Sequence, residues 1–340
     1  MVPMRANHWR PRVGCDMGSP HFPLVSIITP AFNAEAYIGA TVRSVLAQDY
    51  PRLEHIVLND GSTDRTFERV RAGFPDPRLR LVSHQNIGEA ATVNRGLELA
   101  EGDIVGVVNA DDPILPGLVG AAVAMLESRP ELAAVYPDWR RIDAAGRPIA
   151  EAIVPEFDYR VLLEQNLCLP GPGALIRRAA LGSEPLRDPR FRYKSDYFLW
   201  LRLGLHWPLA RLPGVYATWR QHAAGASQQG RNPLMASEHI AVVEALFERP
   251  DCPGEIRRWR RLTLSVACYC AGLLAIHNPA VRGRELIMRS LALAPVWPSR
   301  FRPERHRSWS RILYVLGRPL SEWAYHAALP FNGGWLPRAP

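Results

Sequence analysis

Through the first third of the chain, short apolar runs rich in β-branched residues alternate with stretches of helical spacing. Val25 to Thr29 (VSIIT) is a buried strand closed by Pro30. Between Ala34 and Gln48 the apolar positions Tyr37, Ile38, Val42, Val45 and Leu46 recur at helical intervals, predicting a helix. Glu54 to Leu58 is a second strand, and it runs into Asn59-Asp60-Gly61-Ser62-Thr63-Asp64, where Ser62 is expected to cap a helix through Arg71. A third strand, Leu79 to Ser83, leads through a polar turn ending in Gly88 to a helix over Glu89 to Ala100. The fourth strand, Asp103 to Val108, stops at Asn109-Ala110-Asp111-Asp112. Such alternation predicts an α/β protein with a Rossmann-like, doubly wound, mostly parallel sheet. Parallel strands all point one way, so Thr29, Leu58 and Val108 should end on one rim, with Asp60, Asp111 and Asp112 close in space.

The pattern then changes. A helix from Gly117 to Ser128 and a strand near Leu132 to Tyr136 precede a hairpin-like turn at Asp143 to Gly146. Phe157 to Asn166 is a further helix, and Leu169-Pro170-Gly171-Pro172-Gly173 a rigid loop before a short strand at Ala174 to Ile176. Lys194 to Leu203 (KSDYFLWLRL) is an amphipathic helix with Asp196 in its first turn. Trp139 and Trp200 are expected in the core. Three segments beyond Gly230, namely Pro233 to Phe247, Glu255 to Ile276 and Val281 to Leu293, have apolar spacing suited to helices packed on the preceding domain. The chain thus divides into a loose N-terminal tail (1–22), a catalytic domain (23–230, with halves 23–116 and 117–230) and a helical C-terminal extension (231–340).

Composition sets bounds on this picture. An apolar fraction of 47% and a charged fraction of 22% are those of an ordinary globular protein. The formal charge is +8, yet Lys194 is the only lysine among the basic residues. So strong a preference for arginine points to codon composition rather than phosphate binding, and no nucleic-acid partner is expected. Five scattered cysteines match neither a zinc spacing nor a disulfide framework, and the first 22 residues lack the apolar core of a signal peptide, so a cytoplasmic location with reduced thiols is expected. The longest uncharged stretch, Leu262 to Ile276, falls short of the roughly 20 residues that span a bilayer. Arginines mixed with aromatics from Trp297 to Arg307 are compatible with a solvated face or with peripheral contact with an anionic inner membrane surface.

The turn Pro30 to Ala34 holds no glycine and the chain no Walker lysine motif there, which excludes the usual dinucleotide and P-loop cradles. A diphosphate would then be neutralised most simply by a divalent cation on carboxylates. Asp111 and Asp112 are equally compatible with helix capping, and so is Asp196. His222 is compatible with a metal or phosphate contact or with local hydrogen bonding.

The ordered series VSIITPAFNAEAY, EHIVLNDGSTDRT, NIGEAATVNRG, VGVVNADDPILPG and KSDYFLWLRL resembles the inverting family 2 glycosyltransferases with the glycosyltransferase A fold. The likeness runs from Pro23 to Ser227, about three fifths of the chain. It implies that Pro30, Phe32, Asn33 and Glu35 lie against the base and ribose of a nucleotide-sugar. It places Asp60 on the base, with Ser62 and Asp64 beside it, and Gly88 and Asn94 in a segment that closes over the donor. Asn109-Ala110-Asp111 matches the Asp-x-Asp metal motif, with Asn in place of its first Asp. Asp111, then Asp112, and His222 become the metal ligands, Asp196 the general base, and Arg220 a contact near the diphosphate. The implied reaction is inverting transfer from a UDP-, GDP- or dTDP-sugar, with Mn²⁺ or Mg²⁺, to a saccharide or lipid-linked acceptor in polysaccharide, cell-envelope or glycolipid synthesis. Asn109 keeps a catalytically impaired nucleotide-sugar-binding protein as an alternative. A nucleotidyltransferase would need a glycine-rich, basic first loop, which is missing. Oligomeric state is left open.

Overall fold

The computed structural model describes residues 22–166, 168–223, 225, 233–274 and 280–295. The N-terminal tail up to residue 21 and the arginine and aromatic segment 297–307 lie outside the described residues.

The predicted alternation is present. Strands β1 (Val25–Ala31), β2 (Leu53–Asp60), β3 (Leu79–His84) and β4 (Ile104–Val107) are interleaved with helices α1 (Ile38–Leu46), α2 (Thr66–Gly73) and α3 (Glu89–Leu99). Next come α4 (Leu118–Ser128), the hairpin β5 (Ala134–Ile142) and β6 (Pro148–Ala152), α5 (Tyr159–Gln165), β7 (Leu175–Arg177), α6 (Ser195–Gly204) and β8 (Leu209–Arg220). They form one mixed, mostly parallel sheet in the order β3-β2-β1-β4-β7-β5-β6, with β8 along the other side of β5. β1, β2, β3 and β4 are mutually parallel, as are β5 and β8, whereas β7 runs antiparallel to both β4 and β5. This is the glycosyltransferase A type of α/β fold.

Side-chain alternation along the strands feeds two cores, one per sheet face. Ile28, Ile56 and Leu58 pack with Val93 of α3 and with α5 and α6, while Val25 and Ile27 face α4 through Leu118, Ala122 and Leu126. α1 and α2 close the latter face at its first edge through Ile38, Val42, Val57 and Val70.

Local departures from the sequence reading have clear causes. Helix α1 begins at Ile38 because Tyr37 and Ile38 both turn back to the Ala34 carbonyl (2.9 Å each). Ser62 does not cap α2: the helix starts at Thr66, whose amide donates to Asp64 Oδ1 (3.0 Å), and the Ser62 hydroxyl instead accepts the Asn33 amide (3.0 Å). Strand β8 was not anticipated, since Pro213-Gly214 interrupts its pattern. The structure absorbs them in a bulge where β5 slips register around Asp138.

In the C-terminal region α7 (Pro233–Glu248), α8 (Gly254–Arg257), α9 (Arg260–Leu273) and α10 (Gly283–Leu293) follow. The single helix expected over 255–276 is split, because the Trp259 amide tightens back onto Ile256 O (2.9 Å). α7 and α9 do not form a separate unit. Their Val242, Val243, Leu246, Leu264 and Cys268 belong to the same core as Tyr197, Leu201 and Trp200 of α6. No described helix is long and apolar enough to cross a membrane.

Candidate active site

At the carboxyl edge of β1 and β2, two loops are stitched into one frame. Asn33 takes a left-handed conformation (φ 48°), and its side-chain oxygen accepts the Thr63 amide at 2.8 Å. The Ala34 and Glu35 amides donate to Thr66 Oγ1 (2.8 Å) and Asp64 Oδ2 (3.0 Å), and the Glu35 carboxylate pairs with Arg65 (2.7 Å) and Arg69 (3.2 Å). Asn33, Glu35, Ser62 and Asp64 are therefore engaged in bonds between the two loops and helix α2, and shape the rim. Pro30 is buried in β1, while Phe32 is 51% exposed and presents a free aromatic face. Gly61 is held at φ +67°, and a Cβ there would sit 2.7 Å from the Asn86 amide nitrogen, so the loops close tightly only with glycine.

Asp60 is almost fully buried, and its two oxygens accept the Ile87 (2.7 Å) and Gly88 (3.0 Å) amides. Gly88, at φ 86°, opens α3. Asp60 thus fixes the loop that delivers Glu89 to the rim. Asn94, one turn further along α3, exchanges two hydrogen bonds with the backbone of Arg187 (2.7 and 2.9 Å).

The acidic turn after β4 is held by Thr41 Oγ1 donating to Ala110 O (2.9 Å) and by the Asp112 amide donating to Asn109 O (3.1 Å). Asp111 points toward the cleft and meets His222 Nε2 at 2.8 Å. Asp112 turns the other way. It is 4% exposed, and its carboxylate accepts the Arg220 amide (2.7 Å) and the Asn109 side-chain amide (3.1 Å). Asp112, expected as a second metal ligand, has each oxygen engaged by a protein donor and is buried beside Asp111. Burial, then the neighbouring Asp111 charge, raises its pKa, and those two hydrogen bonds pull the other way. Asn109 therefore acts as a donor to Asp112, a part an aspartate could not fill. Arg220 is also a framework residue: Nε donates to Asp111 O (2.8 Å) and Nη1 to Asp143 O and Ala144 O (3.1 Å each), with its guanidinium 4.9 Å from the Tyr37 ring. Tyr37 in turn packs on His222 (ring centroids 4.6 Å apart).

Asp196 stands in the first turn of α6, with Oδ1 accepting the Tyr197 amide (2.7 Å) and Oδ2 3.8 Å from Cys168 Sγ. Burial, reinforced by the Asp196 charge, pushes the Cys168 thiol well up and keeps it protonated. The segment leading into α6 is anchored from α7. Glu238, 3% exposed, accepts the amides of Arg192 (2.8 Å), Tyr193 (2.7 Å) and Lys194 (3.0 Å). Sequence reading missed Glu238, since an acid within an apolar helix looks like a solvated position.

Glu89 was missed as well. Its surface reaches solvent, yet enough protein walls its carboxyl that desolvation raises its pKa; Arg187 opposes the shift, and Asp196 and Asp111 add to it. Asp111 and Asp196, 85 residues apart in the chain, thus both lie within electrostatic reach of the Glu89 carboxyl. The structure brings Asp60, through Gly88 and Glu89, to the same place.

The family model for glycosyl transferase family 2 matches residues 26–183. Bacillus subtilis TuaG, named for teichuronic acid biosynthesis, is 31% identical over 192 residues, covering 53% of this chain and 72% of that protein. The chain belongs to glycosyl transferase family 2. Chondroitin synthase of Pasteurella multocida is 36% identical over 142 residues, 41% of this chain. This family 2 chain spans only 15% of that synthase's length. Among solved structures, S. aureus TarS 1–349 in complex with UDP-GlcNAc superposes with a TM-score of 0.59 at 16% identity, over 90% of this chain and 88% of that one. The likeness to TarS extends the shared fold beyond the span of the family match, into the C-terminal helices.

Proposed function

We propose that the protein is an inverting glycosyltransferase that moves a sugar from a nucleoside-diphosphate sugar (UDP-, GDP- or dTDP-linked) to an acceptor hydroxyl. The observation that supports this reading best is the Asp111–His222 pair (2.8 Å) after β4, with Asp196 near enough that both carboxylates act on Glu89. A sugar nucleotide has an activated leaving group, so the protein must neutralise charge growing on the diphosphate and deprotonate the attacking hydroxyl. Asp196, with Oδ1 fixed by the Tyr197 amide and Oδ2 held only by the long contact with the Cys168 thiol (3.8 Å), is the general base, worth about 10²- to 10⁴-fold. Phe32 and the Asn33 frame receive the base and ribose, with Asp60 setting the loop that covers them.

Asp111 and His222, 2.8 Å apart, are spaced as two ligands of one ion would be. A site with one carboxylate and one imidazole fits a cation that completes its shell with substrate phosphate oxygens, as Mg²⁺ and Mn²⁺ do. Bound there, it would supply Lewis-acid neutralisation of the leaving diphosphate. Asn109 contributes to Asp112 rather than to this pair, which favours turnover over an inert binding protein. The teichuronic acid and chondroitin names of relatives support polysaccharide or cell-envelope synthesis with a saccharide or lipid-linked acceptor. The arginine and aromatic segment 297–307 supports work at the cytoplasmic face of a membrane.

The test is sugar release from UDP-, GDP- and dTDP-sugars by the purified protein with Mn²⁺. Release from at least one donor is expected, with Asp196→Asn and Asp111→Ala each lowering kcat at least a hundredfold. Full activity in both variants would refute the assignment.

A further inference from the structure

Most charged side chains around the 184–190 segment are paired. Glu184 takes Arg202 (2.5 Å) and Arg249 (2.6 Å), and Asp188 takes Arg190 (2.7 Å). Arg187, between them, is the exception. Its backbone is clamped by Asn94 in both directions (2.7 and 2.9 Å), while its guanidinium makes no hydrogen bond or ion pair among the described residues. Nε and Nη1 are shut off from water without any partner. Two donors desolvated without an acceptor each carry a desolvation penalty, and Glu89, whose carboxyl lies in electrostatic reach, makes no hydrogen bond to them. A bound ion or ligand is one of the explanations such orphans call for.

The position of Arg187 narrows what that ligand is. Its charge bears on Glu89 and on Cys168, whose Sγ lies 3.8 Å from Asp196 Oδ2, so Arg187 is within electrostatic reach of the Asp196 neighbourhood. Arg220, by contrast, spends its guanidinium on the carbonyls of Asp111, Asp143 and Ala144, and His222 is paired with Asp111. The segment is rigid on both flanks, held by Asn94 on one side and by Arg202, which also donates to Pro185 O, on the other. Nε and Nη1 are walled off, which leaves Nη2 as the nitrogen placed to donate to an oxygen of an incoming anion.

Resting on the glycosyltransferase reading, we propose that Arg187 is a specificity residue that receives an acidic group, a carboxylate or a phosphate, carried by the saccharide next to Asp196. The acid belongs either to the transferred sugar or to the acceptor, and the two sources are separable by experiment.

Calorimetry on the full chain with Mn²⁺ would compare acidic probes with their neutral counterparts. UDP-glucuronate against UDP-glucose reads the donor side; methyl β-glucuronide against methyl β-glucoside, and glycerol 3-phosphate against glycerol, read the acceptor side. The expected result is a preference of about ten- to hundredfold for the acid in one arm, the range of a charge-assisted hydrogen bond. Arg187→Gln abolishes that preference, and Arg190→Gln, an exposed arginine of the same segment, keeps it. Without ligand, Arg187→Gln should melt no lower than the wild type, because Nε and Nη1 have no hydrogen bond to lose. A structural arginine would behave in the opposite way. No acid preference in either arm, a preference that survives Arg187→Gln, or an equal loss of affinity for UDP itself would overturn the proposal while leaving the family reading intact. Failure of the wild type to bind any of UDP, GDP or dTDP would instead remove the glycosyltransferase reading, and this inference with it.

Discussion

Replacing Glu238 by glutamine isolates how a residue of α7 holds the segment that carries Asp196, the proposed base. The Glu238 carboxylate accepts three backbone amides, one on Oε1 and two on Oε2, at 2.7 to 3.0 Å. In the better amide orientation glutamine keeps its oxygen toward Tyr193 and Lys194 and turns an NH₂ group at the Arg192 amide, so one buried donor is orphaned and two bonds lose their charge assistance. Hydrogen bonds to charged groups are worth about 1.5–3 kcal/mol, and neutral ones roughly half that. The expected destabilisation is about 3 kcal/mol, a fall in melting midpoint of roughly 4 °C in a protein of this size. The amides released are those of the residues directly before α6, so Asp196 shifts with them. A displacement near 1 Å at the reacting centre costs on the order of a hundredfold in rate. Differential scanning fluorimetry and donor-release kinetics read both effects, with nucleotide affinity expected to stay within about twofold, because the frame formed by Asn33 and Thr63 is untouched. A Glu238→Gln protein that melts with the wild type, or that loses nucleotide affinity while keeping kcat, refutes the reasoning.

Two further outcomes follow from buried groups and tight turns. His55 is completely buried, with Nε2 2.9 Å from Thr29 Oγ1 and Nδ1 without a partner, and burial lowers its pKa from 6.5 to about 3. Above pH 6.5 the imidazole is neutral whether the chain is folded or not; below it the unfolded chain takes a proton the folded one refuses until about pH 3, so stability falls with acid, by about 2 kcal/mol at pH 5. Urea titrations at pH 8 and pH 5 should therefore show His55→Gln losing about 2 kcal/mol less than the wild type. Glu89, whose raised pKa acts in the opposite sense, is common to both proteins and cancels; equal losses would contradict the account. Gly61→Ala places a Cβ 2.7 Å from the Asn86 nitrogen at a left-handed position. It should lower stability by about 1–3 kcal/mol and weaken nucleotide binding several-fold in calorimetry, and unchanged binding would count against a tight union of the two loops.

The sequence by itself determined the nucleotide half. Period-2 runs such as VSIIT and period-3.6 segments such as Tyr37 to Leu46 each specify their element locally, and the right-handed, parallel sheet then admits few ways to place four strand ends. The acids at those ends were legible for the same reason: a polar cluster that interrupts an apolar run has little to do except face the rim. What only the tertiary structure decided is which of two adjacent polar residues faces the cleft and which the interior. Asp111 and Asp112 are indistinguishable in the chain, and their parts were assigned by β8, a strand broken by Pro213-Gly214 whose end supplies the Arg220 amide to one and His222 to the other. Glu238, Glu89 and Arg187 were likewise invisible as single residues, because a buried charge takes its meaning from partners, or from the lack of them, contributed by distant segments. Local pattern fixes periodicity, and long-range contact fixes orientation, burial and charge; the chemistry of the site belongs to the second.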